Sequence, residues 1–251
     1  MINIRNSQEI QIMSQAGRIT AMALSAAKRA ARPGVSTQEL NDIAYDVILS
    51  NDAVPAFLNY NGFPKSVCTS INDEIVHGIP SEERILQEGD IISIDVGAVY
   101  NGYVGDCADT VGVGIISENA DRLITAARES FYAGFEFCRA GYRLYDISHA
   151  IQSCAESKGY GVVRDLVGHG IGTKMHEEPS VPNYGSPGKG VRLQKGMVLA
   201  IEPMINEGTY DIIIMPDGWT AKTADGKLSA HYENTVAITD GAPVILTKEL
   251  R

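Results

Sequence analysis

The chain repeats itself at a constant offset of 107 residues, and few folds accommodate that. Arg32-Pro33-Gly34 maps onto Arg139-Ala140-Gly141, and Leu86-Gln87-Glu88-Gly89 onto Leu193-Gln194-Lys195-Gly196. Ile91-Ile92-Ser93-Ile94-Asp95 maps onto Val198-Leu199-Ala200-Ile201-Glu202. One such match is cheap by chance; several at one offset, in one order, imply duplication of an α+β unit. The unit is too long and recurs too few times for a solenoid. It implies two halves, about 1–115 and 116–251, related by a pseudo-two-fold axis. A chain of 251 residues suffices to bury such a core in one domain. Asp95 and Glu202 become equivalents that face each other across the axis.

Local signals fill in each half. A helix is expected over 7–31, with Ser7 as its cap and Pro33-Gly34 as its stop. Ser36-Thr37-Gln38-Glu39 resembles a capping box and opens a second helix to about residue 50. Further helices are expected over 119–138, capped by Asn119 or Ser117, and over 146–158. Short strands are expected within 56–70 and at 162–167, 198–201, 211–215 and 235–238. In 89–110, Asn101-Gly102 sits between strand formers, the strongest short-range hairpin signal. Such a hairpin can set Asp95 opposite Asp106 on one face. Taken alone, the stretch favours reading both as acids that merely end strands.

Composition excludes some partners. The net charge of -10 lacks the basic footprint of a nucleic-acid binder. Cys68, Cys107, Cys138 and Cys154 form no CxxC pair, which fits free thiols in a reducing compartment. Residues 1–10 carry charge and no apolar signal region, and no apolar run reaches the roughly 20 residues needed to span a bilayer. A cytoplasmic protein without membrane association is expected.

The chemistry concentrates near strand ends: His77, Asp95, Asp106, His169, His176, Glu202 and Glu233. His169 lies in Gly168-His169-Gly170-Ile171-Gly172, where glycines let backbone approach a centre closely and argue against a helix. Four carboxylates and one imidazole form a hard, oxygen-rich donor set, better suited to a pair of divalent ions than to one structural zinc. Two such ions roughly 3.5–4 Å apart need bridging carboxylates, and can lower the pKa of bound water to about 7. The two other histidines could orient substrate or move protons. His231 reads as an ordinary packed histidine. His176-Glu177-Glu178-Pro179 is no HExxH, Thr173 breaks a dinucleotide fingerprint, and neither a Walker A sequence nor a GxSxG elbow occurs.

These residues and the phrases around them resemble type I methionine aminopeptidase in its short bacterial form. The matching phrases are Tyr60-Asn61-Gly62-Phe63-Pro64-Lys65-Ser66, His77-Gly78-Ile79-Pro80, Asp90 to Asp95, Gly168 to Gly172, His176 to Pro179 and Glu202-Pro203. They span nearly the whole chain. The resemblance implies a single metallopeptidase domain with the pita-bread fold: α+β, pseudo-two-fold, with a central curved, mainly antiparallel sheet and outer helices. It implies that Asp95, Asp106, His169, Glu202 and Glu233 hold two divalent ions (Co, Mn, Fe or Zn), with Asp106 and Glu233 bridging. An activated water then attacks the carbonyl of an N-terminal methionine, assisted by Glu202. His176 stabilises the oxyanion and His77 contacts the amide of the second residue. Tyr60, Phe63, Cys68 and Trp219 would line the methionine pocket. Phe57 and Met175 stand where the family has cysteine and phenylalanine, and Phe63 where tyrosine is common.

The expected substrate is the N-terminal methionine of nascent polypeptides with a small second residue, met by a monomer in transient contact with the ribosome. Two alternatives are a proline-specific or creatinase-type hydrolase of the same fold, which usually carries an extra N-terminal domain, and a non-catalytic binding protein, which loses metal ligands.

Overall fold

The computed structural model describes residues 1–248. Its first half runs α1 (Ser7–Ala30), α2 (Thr37–Ser50), β1 (Val54–Pro55), β2 (Val67–Ile71), β3 (Glu74–Val76), β4 (Ile91–Tyr100) and β5 (Tyr103–Gly112). The second runs α3 (Glu118–Phe135), α4 (Leu144–Glu156), β6 (Gly161–Val162), β7 (Gly168–Gly170), β8 (Glu177–Val181), β9 (Val198–Ile201), β10 (Met204–Asn206), β11 (Ile212–Ile214), β12 (Ala221–Thr223), β13 (Ser229–His231), β14 (Glu233–Ala237) and β15 (Val244–Ile245).

Helix starts follow their side-chain chemistry. Ser36 and Glu39 form the reciprocal box expected of them: Ser36 Oγ accepts the Glu39 N–H, and Glu39 Oε2 accepts the Ser36 N–H. Ser117, not Asn119, caps α3 by accepting the Ala120 N–H. The α1 cap lies one residue before the expected Ser7: Asn6 Oδ1 accepts from Gln8 and Glu9 and leaves Ser7 inside the helix. α4 begins at Leu144 because Asp146 turns back to accept the Arg143 N–H at 2.8 Å.

Asn101 and Gly102 take φ of 48° and 79°, the left-handed pair that a tight two-residue hairpin turn requires. Tyr100 then faces Tyr103, and the register runs unbroken to Ile91 and Gly112. This register corrects one expectation. Asp95 lies opposite Ala108, and Asp106 opposite Gly97. The two aspartates are diagonal neighbours on one face rather than direct partners, because the two-residue turn fixes the pairing. The strand expected over 162–167 shrinks to Gly161–Val162. Past Val163 the chain leaves the ladder, and Arg164 stacks its guanidinium over the Tyr210 ring at 3.9 Å.

A nine-stranded sheet orders as β1-β4-β5-β14-β9-β7-β8, with β2 also on β4 and β15 on β14, and every pairing is antiparallel. Its middle is the β5–β14 pair, flanked by β4 and β9. One face is covered by helices. Ile92, Ile94, Val96 and Cys107 pack with Leu24, Leu40, Ala44 and Ile48 of α1 and α2. Leu199, Ile201 and Val236 pack with Phe131, Ile147 and Ile151 of α3 and α4. Burying such side chains is worth about 1.5–3 kcal/mol each, so the helix-covered face contributes strongly to stability.

α1 approaches β5 more closely than side chains would allow. A Cβ on Gly105 would sit 2.7 Å from the Gly17 Cα, and the Thr20 hydroxyl reaches the Gly105 carbonyl. Gly105→Ala therefore forces helix and strand apart. A loss of about 1–3 kcal/mol in urea denaturation is expected, the usual cost of overpacking. Unchanged stability would mean the glycine pair is incidental.

Candidate active site

Sheet register alone gathers the acids. Residues directly opposite on antiparallel strands share a face, as do residues two apart on one strand. Cys68 pairs with Asp95, Asp95 with Ala108, and Ala108 with Glu233. Thr235 pairs with Ala200, and Ala200 with His169. Asp106 lies two residues from Ala108, and Glu202 two from Ala200, just past the end of β9. Asp95, Asp106, His169, Glu202 and Glu233 thus all lie on the face away from the helices.

Above them opens a cavity of about 310 Å³. Its lining includes these five residues together with Phe57, Tyr60, Phe63, Cys68, His77, Met175, His176 and Trp219. Every residue singled out from the sequence meets there. Val76, Leu166, Val167 and Met204 add apolar wall, and Asn61 sits at the edge. Neither Lys nor Arg lines the cavity among the described residues.

The floor is pinned from behind. Thr235 Oγ1 donates to the Asp106 carbonyl at 2.8 Å and accepts the Asp106 N–H at 3.0 Å. The Nδ1 of His169 donates to the Gly170 carbonyl at 2.9 Å, which leaves the Nε2 lone pair facing inward. That nitrogen lies 3.6 Å from Asp106 Oδ2 and 3.6 Å from Glu202 Oε1. Glycines flank His169 because backbone crowds it on both sides: a Cβ on Gly168 would sit 2.4 Å from the Ala200 carbonyl oxygen, and one on Gly170 would sit 2.2 Å from that of Glu178.

Asp106 and Glu233 are buried, while Asp95 and Glu202 keep slight exposure. Burial first, then mutual repulsion, pushes Asp95, Glu202 and Glu233 well above the ordinary carboxylate range. Burial raises Asp106 to about 7. Asp95 Oδ1, Asp106 Oδ1 and Glu233 Oε1 are buried and accept no hydrogen bond. Native proteins rarely leave such oxygens without partners. Two sets of donor atoms lie within 4.8 Å of one another: Asp106, His169 and Glu233, and Asp95, His231 and Glu233. An oxygen-rich, orphaned and repulsive set of this kind fits hard divalent cations.

His231, read from the sequence as an ordinary packed histidine, is placed by the structure beside the floor. It is 1% exposed, and its Nε2 is 3.7 Å from Glu233 Oε2. The signal that could have found it is the His-x-Glu spacing at a strand end, which puts both side chains on one side.

The walls carry aromatic groups and neutral imidazoles. The Tyr60 hydroxyl bonds His176 Nδ1 at 2.7 Å, and the His176 ring sits 4.3 Å from that of His169. Burial, helped by His169, lowers His176 to about 4. Burial, then His176, lowers His77. His77 holds a φ of 62°, uncommon for a non-glycine residue and typical of functional sites. Trp219 stands edge-on to Phe63 at 5.2 Å and to His77 at 6.5 Å.

Sheet, cavity and donor set together define a metal-dependent hydrolase. Comparison with known proteins agrees. The profile of metallopeptidase family M24 matches residues 11–240. The methionine aminopeptidase of Clostridium acetobutylicum is 57% identical over 247 residues, covering 98% of this chain and 99% of that protein. Methionine aminopeptidase 1 of Bacillus subtilis is 49% identical over 248 residues, covering 99% and 100%. The crystal structure of methionine aminopeptidase from Thermotoga maritima superposes with a TM-score of 0.98 at 44% identity, covering 99% of this chain and 100% of that one. The chain belongs to metallopeptidase family M24 and, within it, to the methionine aminopeptidases. Its fold is the expected pita-bread arrangement. Among the described residues no helix is long and apolar enough to cross a membrane.

The titrations give the metal-free protein a distinctive pH response. Groups with raised folded pKa, the four carboxylates, contribute stability at low pH and lose it as pH rises through their folded values. The lowered histidines, with His176 at about 4, work oppositely: they titrate near 6.5 in the unfolded chain and are largely neutral in both states only above roughly 7.5. Between about pH 7.5 and 8.5 the carboxylates dominate, so the melting temperature of chelated protein should fall across that window. Saturating Mn²⁺ should abolish the fall. A flat profile in chelator would show that the acids are not strained.

Proposed function

We propose that this chain removes the N-terminal methionine from nascent proteins and peptides by hydrolysis, preferring small second residues. The observation that carries the reading is the juxtaposition of orphaned carboxylates at the floor with an aromatic, thioether-compatible pocket above them. In this reading Asp95, Asp106, His169, Glu202 and Glu233 would hold two divalent ions, Co, Mn, Fe or Zn, with Asp106 and Glu233 as the ligands common to both. Bound there, the ions supply a Lewis acid and water of lowered pKa.

The remaining steps fall to the chain's own groups. Glu202 accepts a proton from the attacking water and can return it to the leaving amine. A protonated Tyr60 hydroxyl donates to His176 Nδ1, which leaves the N–H at Nε2 to meet the developing oxyanion. His176 does this as a neutral donor, since burial keeps it unprotonated near pH 7. His77, held at its left-handed backbone, contacts the amide of the second residue. Phe57, Tyr60, Phe63, Cys68, Met175 and Trp219 enclose the methionine side chain. The cavity must hold that side chain and its neighbour in about 310 Å³, which favours a small second residue.

The whole chain then acts as one catalytic domain whose halves, about 1–115 and 116–251, each bring acids to a shared floor. The reading carries with it a cytoplasmic monomer that meets nascent chains in transient contact with the ribosome.

The test is release of methionine from Met-Ala-Ser and from proline-containing peptides, with and without chelator. Release from Met-Ala-Ser, lost on chelation and restored by divalent ions, is expected. Asp106→Asn should cost more than the roughly 10–100-fold typical of losing a supporting residue. Folded Asp106→Asn with full activity would refute the shared-ligand role, and chelator-resistant release would refute the metal reading.

A further inference from the structure

We propose that His231 is a positioning residue of the metal centre, whose imidazole N–H holds the Glu233 carboxylate in the orientation that serves both donor sets. The inference rests on the metal-centre reading above. Glu233 alone belongs to both sets of converging donors, so the direction of its carboxylate governs both. A side chain able to set that direction is His231, with Nε2 3.7 Å from Glu233 Oε2.

The ring is buried at 1% exposure, and neither of its nitrogens makes a hydrogen bond. A buried imidazole with two idle nitrogens is rare unless it has a partner to meet. Glu233 Oε1 is equally buried and idle. Each of the two residues lacks what the other can offer.

The backbone behind the ring is fixed. The Thr110 hydroxyl accepts the His231 N–H at 2.9 Å and donates to the His231 carbonyl at 2.8 Å. With its single proton so used, Thr110 must accept from Ser93, whose hydroxyl lies 2.7 Å away. The pairing of Met204 with His231 holds the same residue from the other side. The sheet carries this machinery on buried residues and spends it on the direction of one ring.

Donation is favoured over ligation by the neighbours. Ionised carboxylates only accept, so a nitrogen turned toward Asp95 and Glu233 is satisfied when it bears the proton. A nitrogen that donates to a carboxylate cannot also ligate an ion. His169 shows the other solution, with its proton engaged by a backbone carbonyl and its lone pair turned inward.

The test is calorimetric titration of Mn²⁺ into chelator-stripped protein, for the native chain, His231→Leu and His231→Gln. His231→Leu should weaken Mn²⁺ binding 10–100-fold, the usual effect of losing a residue that orients a ligand. His231→Gln keeps an N–H donor and should recover most of the affinity. NMR of isotope-labelled histidine in Zn²⁺-loaded protein should show the His231 ring proton retained and shifted by a carboxylate partner. Equal affinity in a folded His231→Leu would overturn the proposal, as would loss of the ring proton on loading. If His231→Leu does not fold, the NMR signal and the glutamine variant decide. A native chain that binds no Mn²⁺ would instead sink the metal-centre reading itself.

Discussion

Mutual repulsion among Asp95, Asp106, Glu202 and Glu233 is the constraint on which the rest of the structure depends. At an effective dielectric near 20, two unit charges 4 Å apart would cost about 4 kcal/mol, and burial adds to that cost, so without a cation these acids hold protons well above the ordinary carboxylate range. A flexible scaffold would relieve this by turning the side chains to solvent. Here they issue from the centre of a nine-stranded sheet whose other face is sealed by two pairs of helices. Ladder hydrogen bonds and the Thr235 clamp on Asp106 leave the carboxylates little room to escape. The helix-covered face supplies stability; the opposite face spends part of it.

Asp109 shows that the missing partners are selective. It lies three residues from Asp106 on the same strand and therefore points to the opposite face. There Lys28 and Arg128 both pair with it, Arg128 at 2.9 Å. The strand can evidently satisfy a buried acid with cations of its own. On the cavity face it offers none, and the imidazoles there are held neutral by burial. A strand that neutralises one aspartate and leaves its neighbour bare has reserved the second for an external cation.

The parts of the molecule legible from the sequence were those governed by local chemistry and by the repeat. Asn101-Gly102 announced its hairpin, Ser36 and Glu39 their helix start, and the recurrence of Asp95 as Glu202 the meeting of two halves. Register was harder to read. Whether Asp95 faces Asp106 or Ala108 depends on which two residues form the turn: moved one residue toward the N-terminus, the same turn would pair Asp95 with Asp106. The short strand after Val162 failed for a related reason: its apolar residues continue, yet Arg164 finds a better partner in the Tyr210 ring than in the ladder. His231 does not stand out in the sequence because a lone histidine is ordinary, and only packing reveals that its ring nitrogens are idle.

Floor and walls obey different physics. The donors sit on strands and strand ends, where register fixes each position. The walls come from segments between strands: Phe57, Tyr60 and Phe63 from the stretch before β2, Met175 from the turn after β7, Trp219 from the turn before β12. Such segments tolerate substitution without disturbing the ladder. Phe57 and Met175 meet over Gly97, where an added Cβ would lie 2.6 Å from Phe57 and 2.8 Å from Met175. Gly97 pairs with Asp106 itself, so the bare backbone beside that acid makes room for these two wall residues. The wall at this point therefore rests on the missing side chain in the sheet rather than on the strand positions that carry the donors.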